Sequence, residues 1–276
     1  MATLVDGELT DAVPCHDRGL AYGDGLFETL ALIEGLPRHL SRHLKRLADG
    51  ASRLGIDAPS DARWMEDLAR LVAACHPPPR AVLKIILTRG SGGRGYLPPE
   101  PASPRRILQI LPWPTPSPES GRLGIICKTR LAINPLLAGL KHLNRLEQVL
   151  AAREVAAAGA WEGLMFDTGD QLIEGTRSNV FIVVDGKIET PQLVGAGVSG
   201  VMHAILCEHA PGWGIPVAHR VIDPARLELA EEIFFTNSLR GIESLHRLAI
   251  AGRERTFSTR LADALRARLM AEGLWQ

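Results

Sequence analysis

Residues 138–150 read Ala138-Gly139-Leu140-Lys141-His142-Leu143-Asn144-Arg145-Leu146-Glu147-Gln148-Val149-Leu150, a stretch in which an apolar loop turns into a helix. Lys141 decides its reading. The 276-residue chain has five lysines, at 45, 84, 128, 141 and 187, against 26 arginines. A sequence that writes its basic positions as arginine has kept lysine here. An exposed cation could be either residue. A nucleophile toward a carbonyl could not, because arginine stays protonated whereas a desolvated lysine can lose its proton and attack. Alone, such a lysine is most often a solvated head at a helix start. Further runs along the chain change that reading: Thr88-Arg89-Gly90-Ser91-Gly92-Gly93-Arg94-Gly95-Tyr96, Ile173-Glu174-Gly175-Thr176-Arg177-Ser178-Asn179-Val180-Phe181, Gly195-Ala196-Gly197-Val198-Ser199-Gly200-Val201-Met202 and Phe235-Thr236-Asn237-Ser238.

Composition bounds what these runs can do. A chain of this length with 46% hydrophobic residues buries a substantial core and reads as two domains. The formal net charge is zero, so nothing points to a nucleic-acid or membrane partner. No apolar run reaches the roughly 18 residues of a membrane span, and the N-terminus lacks a signal-peptide pattern. A cytoplasmic protein is expected. Cysteines 15, 75, 127 and 207 are far apart without CxxC spacing and read as reduced thiols. His39 and His43 share a helix face, but no carboxylate sits at ligand spacing, so no metal site is expected.

The order of elements gives a mixed α/β (α+β) fold in two lobes: a small N-terminal domain over 1–112, a linker over 113–121 and a larger C-terminal domain over 122–276. Strands are expected at 1–6, 13–17, 81–88 and 105–111, and amphipathic helices at 37–54 and 60–74. The 16-residue loop 89–104 holds four glycines and four prolines. An irregular loop of that length in a compact protein is usually functional. In the second half a strand is expected at 123–129, then a helix from Lys141 or His142 to about Ala158, then an antiparallel meander over 161–190. Helices follow near 200–210, 224–231 and 257–272. No GxGxxG follows a strand, which argues against a Rossmann dinucleotide site.

Taken together, the runs resemble the fold-type-IV pyridoxal-phosphate (PLP) enzymes, which comprise branched-chain and D-amino-acid aminotransferases and aminodeoxychorismate lyases. The resemblance extends from Gly7 to about Arg247. The runs 139–150 and 88–96 resemble the lyases in particular. PLP as cofactor and a homodimer are implied. Such a site needs a lysine to bond the cofactor aldehyde, an acid facing the pyridine nitrogen and a phosphate cup. The resemblance assigns the first to Lys141 and the second to Glu174. For the cup it implies Ser199, Gly200, Val201 and Met202 at a helix start, where free N–H groups bind phosphate. Asn237 and Ser238 form a second phosphate turn, and Arg46 contributes from the small lobe.

Substrate contacts fall to Arg94 and Tyr96, with Arg177 and Arg89 as further cations. A lyase substrate with two carboxylates calls for more than one such clamp. Thr29 matches a threonine that the lyases place near the cofactor, where a hydroxyl can relay a proton. Glu28 stands where some lyases have a second threonine, and the stretch 175–178 is compatible with aminotransferase-like members. The implied activity is the conversion of 4-amino-4-deoxychorismate to 4-aminobenzoate and pyruvate in folate synthesis. A D-amino-acid or branched-chain aminotransferase is the alternative, and a PLP-binding protein without turnover the third reading.

Overall fold

A computed structural model describes every residue except Met1, Ser117, Glu119, Ala251 and Gln276. The chain packs as two compact units, Met1–Thr115 with Leu140–Asn144 and Pro116–Gly139 with Arg145–Gln276.

The first unit contains β1 (Ala2–Val5), β2 (Glu8–Leu9), α1 (Arg18–Tyr22), β3 (Gly25–Ile33), β4 (Leu36–Pro37), α2 (Leu40–Leu54), α3 (Asp61–Cys75), β5 (Arg80–Thr88) and β6 (Arg105–Pro112). Its sheet runs β2-β1-β6-β5-β3-β4 with antiparallel neighbours throughout. The period of two sorts β3: Leu26, Leu30 and Leu32 lie at 2% exposure or less, while Phe27 and Thr29 point to the other face. On α2 the buried residues His43, Leu44, Leu47 and Ala51 follow helical spacing. The helix begins at Leu40 rather than at Pro37, because Leu36 and Pro37 pair with Ile33 and Leu32. No strand forms at 13–17. Asp17 instead caps α1, its carboxylate accepting the Gly19 N–H at 2.8 Å.

The helix expected to open at Lys141 or His142 begins only at Leu146. Residues 140–144 are extended beside β3, where the Phe27 N–H donates to the Lys141 carbonyl at 2.9 Å and the Leu143 N–H to the Gly25 carbonyl at 3.0 Å. Main-chain groups satisfied across a ladder cannot also close helical turns. The approach is close enough to require glycine at 25: a Cβ there would lie 2.9 Å from Leu143 Cδ1 and collide with the Leu87 carbonyl.

The second unit contains β7 (Leu123–Ile126), α4 (Leu146–Ala157), β8 (Glu162–Phe166), β9 (Leu172–Gly175), β10 (Asn179–Val184), β11 (Lys187–Pro191), α5 (Val201–His209), β12 (Val217–Arg220), α6 (Pro224–Glu228), β13 (Glu232–Asn237), β14 (Gly241–Leu245), β15 (Arg247–Ile250), β16 (Arg253–Thr256) and α7 (Arg260–Ala271). Two five-stranded sheets, β12-β11-β10-β13-β14 and β16-β15-β7-β8-β9, carry the core. The expected strands of 161–190 form as β8 to β11, but not as one antiparallel meander: β8 pairs with β9 in one sheet and β10 with β11 in the other, the turn after Gly175 carrying the chain between them. Strand β10 reads Asn-Val-Phe-Ile-Val-Val because both its faces are covered. Val180, Ile182 and Val184 pack with Leu164, Phe166 and Leu172 of the other sheet. Phe181 and Val183 pack against Ile205 and Leu206 of α5 and Leu265 of α7.

His203 on α5 is part of that layer. The Thr190 hydroxyl donates to the Val180 carbonyl at 2.9 Å, so His203 Nε2, 3.1 Å from the same oxygen, is the donor to it. Burial, with the neighbouring His219, pushes the imidazole down to about 4. A base with a depressed folded pKa binds fewer protons folded than unfolded, so its contribution is present above about 6.5 and is lost as pH falls toward 4. Stability of the wild type should therefore fall across that window. A His203→Gln variant, which keeps a donor and does not titrate, should show a flatter pH profile between 6.5 and 4 in denaturant unfolding; parallel profiles would contradict the assignment.

Candidate active site

In the first unit, the crossing segment sets Lys141 over β3. Its amine stands 4.2 Å from the centroid of the Phe27 ring. Lys84 of β5, paired in register with Thr29, brings a second ammonium 5.8 Å from the same ring. An aromatic face attracts both cations. Thr29 lies one pleat along on the same face of β3, half-buried. Lys84 was not among the sequence candidates. Its membership of a set of five lysines was the available signal.

Arg46 lies toward the other face, on α2. Its Nε donates to Glu28 Oε1 at 2.7 Å and its Nη2 to Oε2 at 2.5 Å. His43 Nδ1 is 2.6 Å from the same carboxylate. Burial by itself would raise the Glu28 pKa, but the hydrogen bonds of His43 and Arg46 and the charge of Arg46 outweigh it and hold the carboxyl at about 2. His43 is pushed down, first by burial and also by the charges of Arg46 and Lys141, against the pull of Glu28. A neutral ring donating Nδ1–H to a carboxylate results. Glu28, at 1% exposure, thus fixes the guanidinium of Arg46 through a two-point contact. Arg94 and Tyr96 lie exposed in the 89–104 loop. That loop is anchored: buried Arg18 donates to the carbonyls of Gly95 at 3.1 Å and Tyr96 at 2.8 Å and to Asp24 at 2.9 Å. The Tyr96 ring packs 5.6 Å from that of Tyr22. Arg89 binds Asp24 and the carbonyls of Leu54 and Gly55 instead, which makes it a structural cation.

In the second unit, Glu174 of β9 is buried with a partner for each oxygen. Gln148 Nε2 donates to Oε1 at 3.1 Å, and the Val198 N–H donates to Oε2 at 2.9 Å. Gln148 stands in the same run as Lys141, where its role was not legible. Burial pushes the Arg145 guanidinium down, opposed by the charges of Glu174 and Glu147. Beside this carboxylate runs the segment into α5. Gly197 has φ +85, Ser199 donates its N–H to the Gly139 carbonyl at 3.1 Å, and Asn179 Nδ2 donates to the Val198 carbonyl at 2.8 Å. Gly200 caps α5 without any side-chain hydrogen bond, leaving the N–H groups of its first turn, at Val201 and Met202, without intrahelical partners. A Cβ at 200 would collide with Asn179. At the end of β13, Asn237 Oδ1 accepts the N–H groups of Leu239 and Arg240 at 3.0 and 2.9 Å, ordering the turn that holds Ser238. Thr236, one residue earlier, has a buried hydroxyl oxygen without a hydrogen-bond partner. Arg177 is turned onto Trp161, donating to its carbonyl at 2.8 Å.

These residues fit PLP. A buried carboxylate that accepts N–H donors suits a pyridinium nitrogen. An uncapped helix start, a glycine that admits no side chain and an unpartnered hydroxyl suit a phosphate. A half-buried lysine amine on an aromatic face suits an aldehyde. Among the described residues no cluster of histidine, cysteine or carboxylate side chains could hold a metal ion.

Comparison with known proteins agrees. Residues 25–248 match the family model described as amino-transferase class IV. The chain is 35% identical over 243 residues to an aminodeoxychorismate lyase from Vibrio harveyi, covering 86% of this chain and 88% of the relative. It is 30% identical over 243 residues to a putative branched-chain-amino-acid aminotransferase from Methanocaldococcus jannaschii, covering 86% and 84%. The crystal structure of 4-amino-4-deoxychorismate lyase from Pseudomonas aeruginosa superposes with a TM-score of 0.89 at 47% identity, covering 97% of each chain. With this match over most of its length, the chain belongs to class IV of the amino-transferases, PLP-dependent enzymes of fold type IV.

Proposed function

We propose that this chain is a 4-amino-4-deoxychorismate lyase, forming 4-aminobenzoate and pyruvate for folate synthesis. The observation that carries this is the 47% identity to a lyase over nearly the whole of both chains. Action in the cytoplasm as a homodimer belongs to the same reading; no helix among the described residues is long and apolar enough to cross a membrane.

Bound PLP supplies an electron sink for the carbon that carries the substrate amine. The chain supplies the rest. Lys141 would hold the cofactor through its aldehyde, and its amine is the base that takes the proton from the amine-bearing carbon of the substrate. Glu174 would hold the proton on the pyridine nitrogen, its carboxylate oriented by Gln148 and the Val198 N–H. The cup is formed by Ser199, Gly200, Val201 and Met202 together with Asn237 and Ser238. Arg46, held still by Glu28, adds the cation. Arg94 takes a substrate carboxylate, with Tyr96 beside it. Thr29 gives a proton to the oxygen of the departing enolpyruvyl group. Arg177 is a second carboxylate partner on release from Trp161. The domain reading 1–112, linker 113–121 and 122–276 is retained as a proposal for the continuous chain.

The defining experiment supplies aminodeoxychorismate without any keto acid and measures pyruvate. Release in proportion to 4-aminobenzoate is expected. Efficient transamination of D-alanine or leucine without pyruvate release would overturn the lyase reading in favour of an aminotransferase.

Lys141→Ala should abolish turnover and the visible absorbance of the bound cofactor; retention of that absorbance would move the bond to another of the chain's lysines. Glu174→Gln should still bind PLP but slow proton removal roughly a hundredfold or more, as expected for loss of one preorganised charge. A rate within about threefold of wild type, well under a kcal/mol of barrier, would remove Glu174 from the chemistry. Thr29→Ala should impair pyruvate release more than amino-group exchange, because only elimination needs a proton on the leaving oxygen. Equal losses in the two assays would make Thr29 a packing residue.

A further inference from the structure

Glu162, the first residue of β8, has no role in the steps above, yet it is 1% exposed. A carboxylate that deeply buried is costly unless its oxygens are saturated with donors. They are. Oε1 accepts the N–H of Gly163 at 3.0 Å, the N–H of Thr176 at 3.0 Å and the Thr176 hydroxyl. Oε2 accepts the Ser178 hydroxyl at 2.9 Å and faces Arg177 Nε at 3.6 Å. One carboxylate thus gathers three successive residues, 176 to 178, of the turn joining β9 to β10. The turn closes on itself through the Gly175 N–H to the Ser178 carbonyl at 2.7 Å.

The residues flanking this turn are Glu174 and Asn179. Both reach Val198, Glu174 by accepting its N–H at 2.9 Å and Asn179 by donating to its carbonyl at 2.8 Å. The two polar main-chain groups of Val198 are therefore held by the two shoulders of one turn. The spacing of those shoulders sets where the segment Gly197–Gly200 enters α5. There is little room for the turn to shift: a Cβ at Gly175 would collide with Ser178 Oγ and lie 3.1 Å from the Phe235 ring.

We propose that Glu162 is a positioning residue of the cofactor site. It fixes the 176–178 turn, and through Glu174, Asn179 and Val198 it aligns the pyridine acid with the phosphate cup. The proposal rests on the PLP reading above. The charge matters because every group aimed at Glu162 is a donor. Glutamine would turn an amide NH2 toward some of them and replace an attraction with a clash of donors.

The test titrates apo-protein with PLP and follows the visible absorbance of the bound cofactor and its pH dependence, with thermal unfolding of the apo-protein measured separately. Glu162→Gln should weaken PLP binding about tenfold or more, the loss expected when a charge-assisted hydrogen bond is broken, and should shift the pH dependence of the absorbance. In a Thr176→Val, Ser178→Ala background the same substitution should cost less, since two of its donors, the hydroxyls, are gone while the main-chain donors remain. A Glu162→Gln protein that only unfolds at lower temperature, with affinity and spectrum unchanged, overturns the proposal. If that variant does not fold, Thr176→Val alone decides: weakened PLP binding supports the assignment and unchanged binding overturns it. Pyruvate release by the wild type is measured alongside. Its absence overturns the lyase reading while the affinity series still decides Glu162, and wild-type protein that takes up no PLP overturns both.

Discussion

The pairing of residues 140–144 with β3 is the constraint on which the site depends. Two main-chain hydrogen bonds, Phe27 N–H to the Lys141 carbonyl and Leu143 N–H to the Gly25 carbonyl, leave the Lys141 side chain no choice of strand face. The amine is delivered onto the Phe27 ring, on the strand face that also carries Thr29. The requirement propagates outward. Gly25 must lack a side chain for the strands to approach, and the helix that follows must wait until Leu146. A lysine at a flexible helix start would explore many rotamers; one on a segment hydrogen-bonded to a strand starts with fewer, and that ordering is met in folding rather than in catalysis.

Buried carboxylates are the second theme. Glu28, Glu162 and Glu174 lie at 1%, 1% and 4% exposure. Each is surrounded by N–H or O–H donors: an arginine and a histidine for Glu28, backbone and hydroxyl groups for Glu162, an amide and a backbone N–H for Glu174. A buried charge so held is a rigid point of reference, since losing any one partner leaves an unpaired charge in a poor solvent. Two of the three never need to touch a reacting atom to matter. Glu28 holds the arginine proposed for the phosphate, and Glu162 holds the turn beside the acid.

What could be read beforehand follows the range of the interaction. Periodicity is local, so α2, α3, β5 and the strands β8 to β11 were legible within a few residues, whereas their division between two sheets, against the expected single meander, was not. The motif around Lys141 was legible as a motif, but its conformation was not. Leu, Ala and Glu in 146–157 carry helical propensity back toward Lys141, and only the distant edge of β3 overrides it. The strand expected at 13–17 failed for a similar reason, because Asp17 acts as a cap for α1. Gln148 and Glu162 were not legible as site candidates because their partners come from 14 to 26 residues away, and Lys84, for all the rarity of lysine, reaches the Phe27 ring only through the pairing of β5 with β3. Nothing in the pattern Trp161-Glu162-Gly163 announces a residue that organises Thr176 and Ser178. Arg89 shows the reverse: a cation in a glycine-rich run looked available and is instead tied to Asp24 and two carbonyls.

The claim underlying all of this is that Lys141 is the amine that bonds the cofactor. It is tested most directly by reducing the PLP-loaded protein with borohydride, digesting it and mapping the lysine that carries the pyridoxyl phosphate by mass spectrometry. The account predicts the added mass on the peptide containing Lys141, in stoichiometric yield. The mass on the peptide of Lys84, whose amine flanks the same ring, or on any of the other three lysines, would contradict it.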